Sequence, residues 1–262
     1  MADTRVPVVA QLAHVELYTP KPEESLWFFT KILGMSVVHR EGQSVYLRGY
    51  EDWYLWTLKL TEAPQAGLGH VAWRVSAPEL LDEAAAKLEA AGYGLGWQES
   101  EYGGGRAFRF RMPDGHRMEL IWELEYYQAP EDQKSPLKNR PQRRPLDGVP
   151  VRRLDHINCF VSDVETHEAF LREYLGFKLR ETKIDENGRK VGSWLSVSPL
   201  VHEIATMRDG TGQGNRLHHI AFWYGYPQHC YDCADACRDW GVKIEAGPAK
   251  HGTTQAMFLY VF

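Results

Sequence analysis

The stretch that decides the fold is Asn215-Arg216-Leu217-His218-His219-Ile220-Ala221-Phe222, a short apolar run that contains two histidines. Side chains alternate between the two faces of a β-strand, so one of these histidines must face whatever the strand encloses. A second apolar run, Leu154-Asp155-His156-Ile157-Asn158, has the same character, and His202 and His251 lie in similar settings. Four histidines on predicted strand edges in one half of the chain favour a metal or acid–base site over isolated core histidines.

Composition narrows the class of protein. A chain of 262 residues, 44% hydrophobic and 25% charged, is long enough for one large or two ordinary globular domains. The net charge of −5 gives no basic surface for nucleic acid or for an anionic membrane. No apolar run is long enough to span a bilayer. Three of the four cysteines recur at helical spacing, which favours reduced packing cysteines in a cytoplasmic protein over a zinc or redox site.

The spacing between a histidine that opens a strand and a glycine that ends the next helix is repeated along the chain. His14–Gly34 and His156–Gly176 have equal length, and so do His70–Gly92 and His219–Gly241. The helices predicted inside these four segments cover residues 22–31, 77–91, 164–174 and 227–240. Strand-like runs follow every helix; after the second helix they are 107–112 and 117–122. The sequence therefore predicts four modules, each with a strand, a helix and about three strands.

The modules pair as 1 with 2 and 3 with 4, which predicts an α+β protein with two domains. The N-terminal domain is expected at residues 1–124 and the C-terminal domain at 151–262, joined by a linker at 125–150 that is rich in Pro, Lys and Arg. Module 2 continues through a turn into a strand that carries Glu119. Module 4 stops at Phe262, before the equivalent turn, so we expect its last strand to be missing from this sequence.

Paired modules with these histidines resemble the vicinal oxygen chelate superfamily. Within it, the two-domain layout resembles the type I extradiol ring-cleaving dioxygenases, the catechol 2,3-dioxygenase group. The resemblance covers nearly the whole chain, and its motifs are Leu154-Asp155-His156, Arg216-Leu217-His218-His219, Lys250-His251-Gly252 and Phe258-Leu259-Tyr260.

The resemblance implies a metal site in the C-terminal domain. The family holds Fe(II), sometimes Mn(II), with two histidines and one glutamate on one face of the ion, which leaves adjacent positions for substrate and O2. Matched residue by residue, His156 and His219 are the histidine ligands. The glutamate is expected roughly six to eight residues after Phe262, by analogy with the position of Glu119 in module 2.

The same resemblance implies roles for five further residues. His202 matches an acid–base histidine beside the metal, since an imidazole can both accept and donate a proton near neutral pH. His251 and Tyr260 match a pair that hydrogen-bonds the bound catecholate oxygens, and Asn158 and Trp194 match residues that line the ring pocket. The alternatives are an exposed loop for His202, and ordinary turn or core packing for the others.

His14, His70 and Glu119 occupy the equivalent metal positions in the N-terminal domain. Because the family uses only the C-terminal site, we expect these three residues to be remnants of duplication that hydrogen-bond one another. A vacant or adventitious metal site is the alternative.

The function that the resemblance implies is extradiol cleavage of catechol with O2 to a 2-hydroxymuconic semialdehyde-type product, in the catabolism of aromatic hydrocarbons, by a homo-oligomer. A larger catechol, such as dihydroxybiphenyl or homoprotocatechuate, is an alternative substrate. Relatives that act on homoprotocatechuate carry an arginine five residues before the equivalent of His251, where this chain has Ala246, which argues against an acidic substituent. A non-catalytic ligand-binding protein of the same fold is the alternative from another class.

Overall fold

The computed structural model describes residues 6–99 and 101–262. Its helices are α1 (Pro22–Trp27), α2 (Glu79–Ala90), α3 (Val164–Leu175) and α4 (Pro227–Asp239). Its strands are β1 (Val9–Thr19), β2 (Ser36–Glu41), β3 (Ser44–Arg48), β4 (Leu58–Glu62), β5 (Gly67–Val75), β6 (Gly94–Gln98), β7 (Ala107–Arg111), β8 (Arg117–Ile121), β9 (Arg153–Val161), β10 (Lys178–Ile184), β11 (Lys190–Ser196), β12 (Ile204–Arg208), β13 (Arg216–Trp223), β14 (Ile244–Lys250) and β15 (Met257–Val261).

The order of these elements confirms the predicted α+β repeat. Modules 1, 2 and 3 each consist of a strand, a helix and three strands, and module 4 consists of β13, α4, β14 and β15. In module 2 the first strand, β5, pairs in parallel with the last, β8. In module 3 the first strand, β9, likewise pairs in parallel with the last, β12.

The contacts of the chain divide it into two compact units. One unit contains the described residues up to Leu17 together with 67–125 and 155–221, and the other contains 18–66, 126–154 and 222–262. Each unit combines segments from both halves of the sequence. The division into domains at 1–124 and 151–262 therefore stays a prediction.

The first unit carries two groups of neighbouring strands. One has the order β1-β5-β8-β7-β6, and the other has the order β10-β11-β12-β9-β13. Apart from the parallel pairs within modules 2 and 3, the successive strands β6–β7, β7–β8, β10–β11 and β11–β12 are antiparallel. Strands from different modules thus come side by side where the predicted histidines lie, on β1 and β5 and on β9 and β13.

The second unit contains the antiparallel strands β2, β3 and β4, the antiparallel pair β14 and β15, and the predicted linker. The linker has one short 3-10 turn, Glu131–Gln133, and no other helix or strand. Arg48 is fully buried and donates hydrogen bonds to the side chain of Gln142 in the linker and to the carbonyl of Asp52. The linker is therefore packed within this unit rather than exposed along its whole length.

Helix ends follow their sequence signals in α3. The carboxylate of Asp163 accepts a hydrogen bond from the backbone N–H of Thr166 at 2.8 Å, and Gly176 ends the helix with a φ of 79°. The helix predicted at 22–31 is different, because α1 ends at Trp27 and continues as a π-helix, Phe28–Ile32. A widened turn of this kind shifts the side chains that follow it, and an apolar period of 3.6 residues does not reveal it.

The strand β6 was not predicted. Its sequence, Gly94-Leu95-Gly96-Trp97-Gln98, lacks the alternation of apolar and polar residues that marks a half-buried strand. Gly96 has a φ of 100° at a register shift against β7, which is a bulge position that favours glycine. The strand is fixed instead by contacts such as the edge-to-face packing of Trp97 on Phe108.

Two expectations from composition can be compared with the structure. All four cysteines are free, and Cys159, Cys233 and Cys237 are buried, in agreement with a packing role. None of the helices in the described ranges combines the length and the apolar character needed to cross a membrane.

We expect acid to destabilise the first unit through His116. This ring is buried, and its Nε2 donates to the carbonyl oxygen of Arg216 at 3.2 Å. Burial lowers the pKa of His116 from 6.5 to about 4, and the hydrogen bond to Arg216 only partly opposes that shift. Since the unfolded chain takes up the proton first, the free energy of unfolding is highest above pH ~6.5 and falls toward pH ~4, by about 3 kcal/mol at most.

His116→Gln keeps a hydrogen-bond donor and removes this titration, so its loss of stability between pH 7 and pH 4.5 should be smaller than that of the wild type. Urea denaturation at the two pH values measures the difference, and His39→Gln, in a half-buried strand position, is the control. Equal losses in the wild type and in His116→Gln would contradict the prediction.

Candidate metal centre

His14, His70 and Glu119 come together on one face of the strand group that contains β1, β5 and β8. Glu119 pairs in register with Ala72, and His70 lies two residues before Ala72, so both side chains share a face. Nε2 of His14 is 3.3 Å from Nε2 of His70 and 3.5 Å from Oε1 of Glu119, and all three side chains are buried. In the described part of the chain, this trio is the one set of three or more His, Cys, Asp or Glu residues whose donor atoms all lie within 4.8 Å of one another.

Neighbouring residues fix the outer atoms of this trio. Oε2 of Glu16 accepts a hydrogen bond from Nδ1 of His70 at 2.9 Å. A Cβ at Gly69 would lie 2.5 Å from the same oxygen, so the glycine leaves room for the Glu16 carboxylate. On the other side of the trio, Arg109 donates from its Nε to Oε2 of Glu119.

Burial and charge act on this trio in opposite directions. Burial alone would raise the pKa of Glu119, but the hydrogen bond from His14 and the positive charges nearby outweigh it and lower the pKa to about 2. Burial is the largest effect on His14 and lowers its pKa. Near neutral pH the carboxylate of Glu119 is therefore ionised.

His156 and His219 form a second cluster, between β9 and β13. Their Nε2 atoms are 3.2 Å apart. Oδ2 of Asp155 accepts a hydrogen bond from Nδ1 of His156 at 2.8 Å, which leaves the Nε2 lone pair of His156 directed toward His219. The ring of His218 packs on Phe160, with 4.5 Å between the ring centroids, and Nδ1 of His218 lies 2.9 Å from Nδ1 of His219. The structure thus brings together the two histidines that were predicted as ligands.

His202 lies beside this pair, two residues before β12. Its ring centroid is 4.1 Å from that of His156, and the side chain is buried. The exposed-loop alternative is therefore wrong for His202. The next residue, Glu203, is buried as well; burial raises its pKa, and its carboxylate accepts hydrogen bonds from the Ser198 hydroxyl and the Val197 N–H.

Asn158 and Trp194 lie on the same rung of the sheet that also carries His156. Trp194 pairs in register with Ala205, and Ala205 pairs with Asn158, so the three side chains share a face with His156. Asn158 is 3% exposed, and its Oδ1 has no hydrogen-bond partner among the described residues. A buried carbonyl oxygen without a partner is costly, and one that lies on the histidine face is suited to a polar ligand atom.

His251 and Tyr260 form a separate pair in the other compact unit. The hydroxyl of Tyr260 is 3.2 Å from Nε2 of His251, whose ring stacks on Phe258 with a centroid distance of 3.9 Å. Burial and the charge of Glu245 raise the pKa of Tyr260, so its phenol keeps a proton that it can donate. The structure therefore joins these two predicted residues to each other.

The donor geometry of His156 and His219 fits a bound transition metal. Two ligand atoms at a right angle about an ion, each about 2.1 Å from it, lie about 3 Å apart. The observed 3.2 Å between the Nε2 atoms is close to that value. Imidazole nitrogens suit iron, and the Asp155 carboxylate behind one ring is the usual outer support of a metal-binding histidine.

Three residues of these clusters have roles that the sequence did not predict. Asp155 belongs to one of the family motifs, but the motif does not predict that it accepts a hydrogen bond from His156. The sequence likewise does not predict that Glu16 accepts the equivalent bond from His70. Arg109 was not predicted at all. The signal that could have indicated Asp155 and Glu16 is a carboxylate one or two residues from a strand histidine, since Asp155 precedes His156 and Glu16 follows His14 by two residues.

Comparison with known proteins places this chain among the dioxygenases. The model of the Glyoxalase/Bleomycin resistance protein/Dioxygenase superfamily matches residues 11–120 and 153–262. The chain is 53% identical to a metapyrocatechase of Geobacillus stearothermophilus over 97% of this chain and 77% of that protein. It is 41% identical to a manganese-dependent 2,3-dihydroxybiphenyl 1,2-dioxygenase of Geobacillus genomosp. 3, over 97% of this chain and 81% of that protein.

Solved structures of extradiol dioxygenases have the same fold as this chain. A substrate complex of homoprotocatechuate 2,3-dioxygenase from Brevibacterium fuscum superposes with a TM-score of 0.82 at 30% identity, over 98% of this chain and 77% of that chain. One of the relatives is named for manganese, whereas the other two names specify no metal. This chain belongs to the Glyoxalase/Bleomycin resistance protein/Dioxygenase superfamily and, within it, to the extradiol ring-cleaving dioxygenases, which are oxidoreductases.

Proposed function

We propose that this protein cleaves catechol, or a substituted catechol, with O2 at a non-haem metal held by His156 and His219. The observation that supports the proposal is the distance of 3.2 Å between the two Nε2 atoms. A third histidine, His202, is buried and packs against the ring of His156. We propose Fe(II) as the metal and Mn(II) as the second candidate. The identity of the third ligand stays a prediction.

The bound metal would supply adjacent positions for the two catechol oxygens and O2 and a path for charge from the ring to oxygen. The chain's own residues would hold these reactants and move protons. The bond from Nδ1 of His156 to Asp155 keeps the Nε2 lone pair of His156 unprotonated and fixes the ring orientation. The buried rung of Trp194, Ala205 and Asn158 would form a wall of the pocket that excludes water.

Catechol must lose protons to bind through both oxygens, and reduced oxygen must gain a proton. His202 is suited to this exchange, because it is buried beside a proposed ligand and an imidazole can carry a proton in either direction near neutral pH. We assign to His251 and Tyr260 the hydrogen bonds to the catecholate oxygens. Their mutual contact at 3.2 Å would let the phenol and the imidazole act as one hydrogen-bonded unit.

Catechol is the proposed substrate because the metapyrocatechase is 53% identical to this chain, whereas the dihydroxybiphenyl dioxygenase is 41% identical. The second relative makes 2,3-dihydroxybiphenyl the second candidate substrate. Homoprotocatechuate is disfavoured because Ala246, on β14, cannot pair with a carboxylate where the resemblance places an arginine. From the resemblance and the reduced cysteines we also propose a cytoplasmic homo-oligomer, which light scattering and fractionation would test.

The test compares kcat/KM for catechol, 2,3-dihydroxybiphenyl and homoprotocatechuate in anaerobically purified protein loaded with Fe(II) or Mn(II). We expect one O2 consumed for each ring opened and the highest kcat/KM with catechol. The highest value with 2,3-dihydroxybiphenyl would support the second substrate instead. No O2 uptake with any catechol by metal-loaded protein would favour a ligand-binding function and overturn the proposal.

Asp155→Asn should weaken metal binding without unfolding the protein. The amide cannot accept the Nδ1–H bond as strongly as the carboxylate, so the ring of His156 is held less firmly and its Nε2 is less basic. Changes of this kind typically lower metal affinity about 10–100-fold. Competition with a chelator measures the affinity, and Asp155→Glu is the control that keeps the charge. An unchanged affinity in Asp155→Asn would show that Asp155 does not support the metal.

A further inference from the structure

Arg109 lies inside the N-terminal cluster of His14, His70 and Glu119. It sits on β7 directly opposite Glu119 of β8, so its side chain shares the face of that carboxylate. Its Nε donates to Oε2 of Glu119, and its Nη2 donates to Oε1 of Glu101 at 2.9 Å. The same Nη2 is 3.4 Å from Nε2 of His70. One guanidinium therefore contacts two of the three residues that could hold a metal.

The atom of His70 that Arg109 approaches is the one that a metal would need. Nδ1 of His70 donates to the Glu16 carboxylate, so the lone pair of this ring is on Nε2. That lone pair faces Nε2 of His14 at 3.3 Å and Nη2 of Arg109 at 3.4 Å. The guanidinium of Arg109 thus lies in the direction in which a metal bond would form.

The positive charge of Arg109 also opposes the binding of a metal ion to this cluster. A guanidinium stays protonated in proteins, and the Arg109 side chain is only 17% exposed. An ion bound by both Glu119 and His70 would lie beside this fixed positive charge, where little water screens the repulsion. Arg109 also neutralises the buried Glu119 carboxylate, which otherwise would favour a bound cation.

The C-terminal cluster repeats the two-histidine arrangement. His156 and His219 approach to 3.2 Å, and Asp155 holds Nδ1 of His156 as Glu16 holds Nδ1 of His70. In chain order, β15 is the strand of module 4 that corresponds to β7 of module 2; it has the sequence Met-Phe-Leu-Tyr-Val and carries no basic residue, whereas β7 has Ala-Phe-Arg-Phe-Arg. This strand of module 4 therefore has no counterpart of Arg109.

We propose that the N-terminal cluster is a latent divalent-metal site whose cation position is taken by the guanidinium of Arg109, so that this side chain confines the metal to the C-terminal site. Removal of Arg109 should expose the lone pair of His70 and leave Glu119 without its cation. The ligands His14, His70 and Glu119 would then bind a divalent transition metal such as Mn²⁺, since two imidazoles and a carboxylate are the facial set that holds Fe(II) in non-haem sites.

The experiment counts Mn²⁺ per subunit in the wild type, Arg109→Met, Arg109→Lys and the double variant Arg109→Met/His70→Ala. Elemental analysis after saturation and desalting gives the number, and the electron paramagnetic resonance of Mn²⁺ distinguishes the added ion. Arg109→Met should bind one equivalent more than the wild type. Arg109→Lys, which keeps a positive charge, should bind no more than the wild type, and the double variant should lose the added equivalent.

Two outcomes would overturn the proposal. If Arg109→Met is folded and binds no additional Mn²⁺, the cluster is not a latent metal site. The single variant His70→Ala is also measured. If it binds less Mn²⁺ than the wild type, the wild-type cluster already holds metal and Arg109 does not exclude the ion. If Arg109→Met does not fold, Arg109→Gln keeps a donor for Glu119 and carries the same expectation. Because each result is a difference between variants of the N-terminal cluster, it does not depend on the function proposed for His156 and His219.

Discussion

Replacement of His156 or His219 by alanine is expected to remove the bound metal and abolish ring cleavage. Each histidine supplies one of the two converging Nε2 atoms, and the ligands that remain would not hold Fe(II) or Mn(II) firmly. Metal content should fall from about one ion per subunit toward zero, and turnover should fall with it, since the metal supplies the positions for both reactants.

The matched control is His218→Ala. His218 is adjacent to His219 on the same strand and packs on Phe160, and its Nδ1 lies 2.9 Å from Nδ1 of His219. Its removal should loosen the ring of His219 but leave Nε2 of His219 to bind the metal, so most of the metal should stay in place. Elemental analysis of anaerobically purified protein and O2 uptake with catechol measure the two effects. Metal that is lost in His218→Ala but retained in His219→Ala would mean that His218 is the ligand instead.

Repeat spacing was sufficient to predict the modules, and the family resemblance indicated which histidines pair. His14 with His70, and His156 with His219, lie in the first strands of two modules, and these strands are neighbours in the structure. The spacing thus gave each histidine an equivalent position in its module, and a side chain's face is set by its position along a strand.

The partners of these histidines depend on register, which no local pattern reveals. Arg109 meets Glu119 because the antiparallel register of β7 and β8 places them opposite each other. Asn158 and Trp194 share a rung only through Ala205 on the strand between them. Since a shift of one residue would turn every one of these side chains to the other face, such contacts follow from the folded sheet rather than from the residues alone.

Replacement of His202 can distinguish proton transfer from metal binding. His202→Phe is expected to slow turnover about 10²–10⁴-fold while metal and catechol stay bound. Phenylalanine keeps a ring against His156, whose centroid is 4.1 Å from that of His202, so the proposed ligand keeps its packing. What is lost is the imidazole that can carry a proton near neutral pH.

Three measurements decide the role of His202. Metal per subunit and the affinity for catechol without O2 should match the wild type, whereas single-turnover rates after mixing with O2 should fall. His202→Gln offers hydrogen bonds but no proton transfer near neutral pH, so it should be slow as well, and in both variants the pH dependence of the rate should lose the step that belongs to the imidazole. Loss of metal in His202→Phe would make His202 a ligand, and an unchanged rate would exclude it from proton transfer.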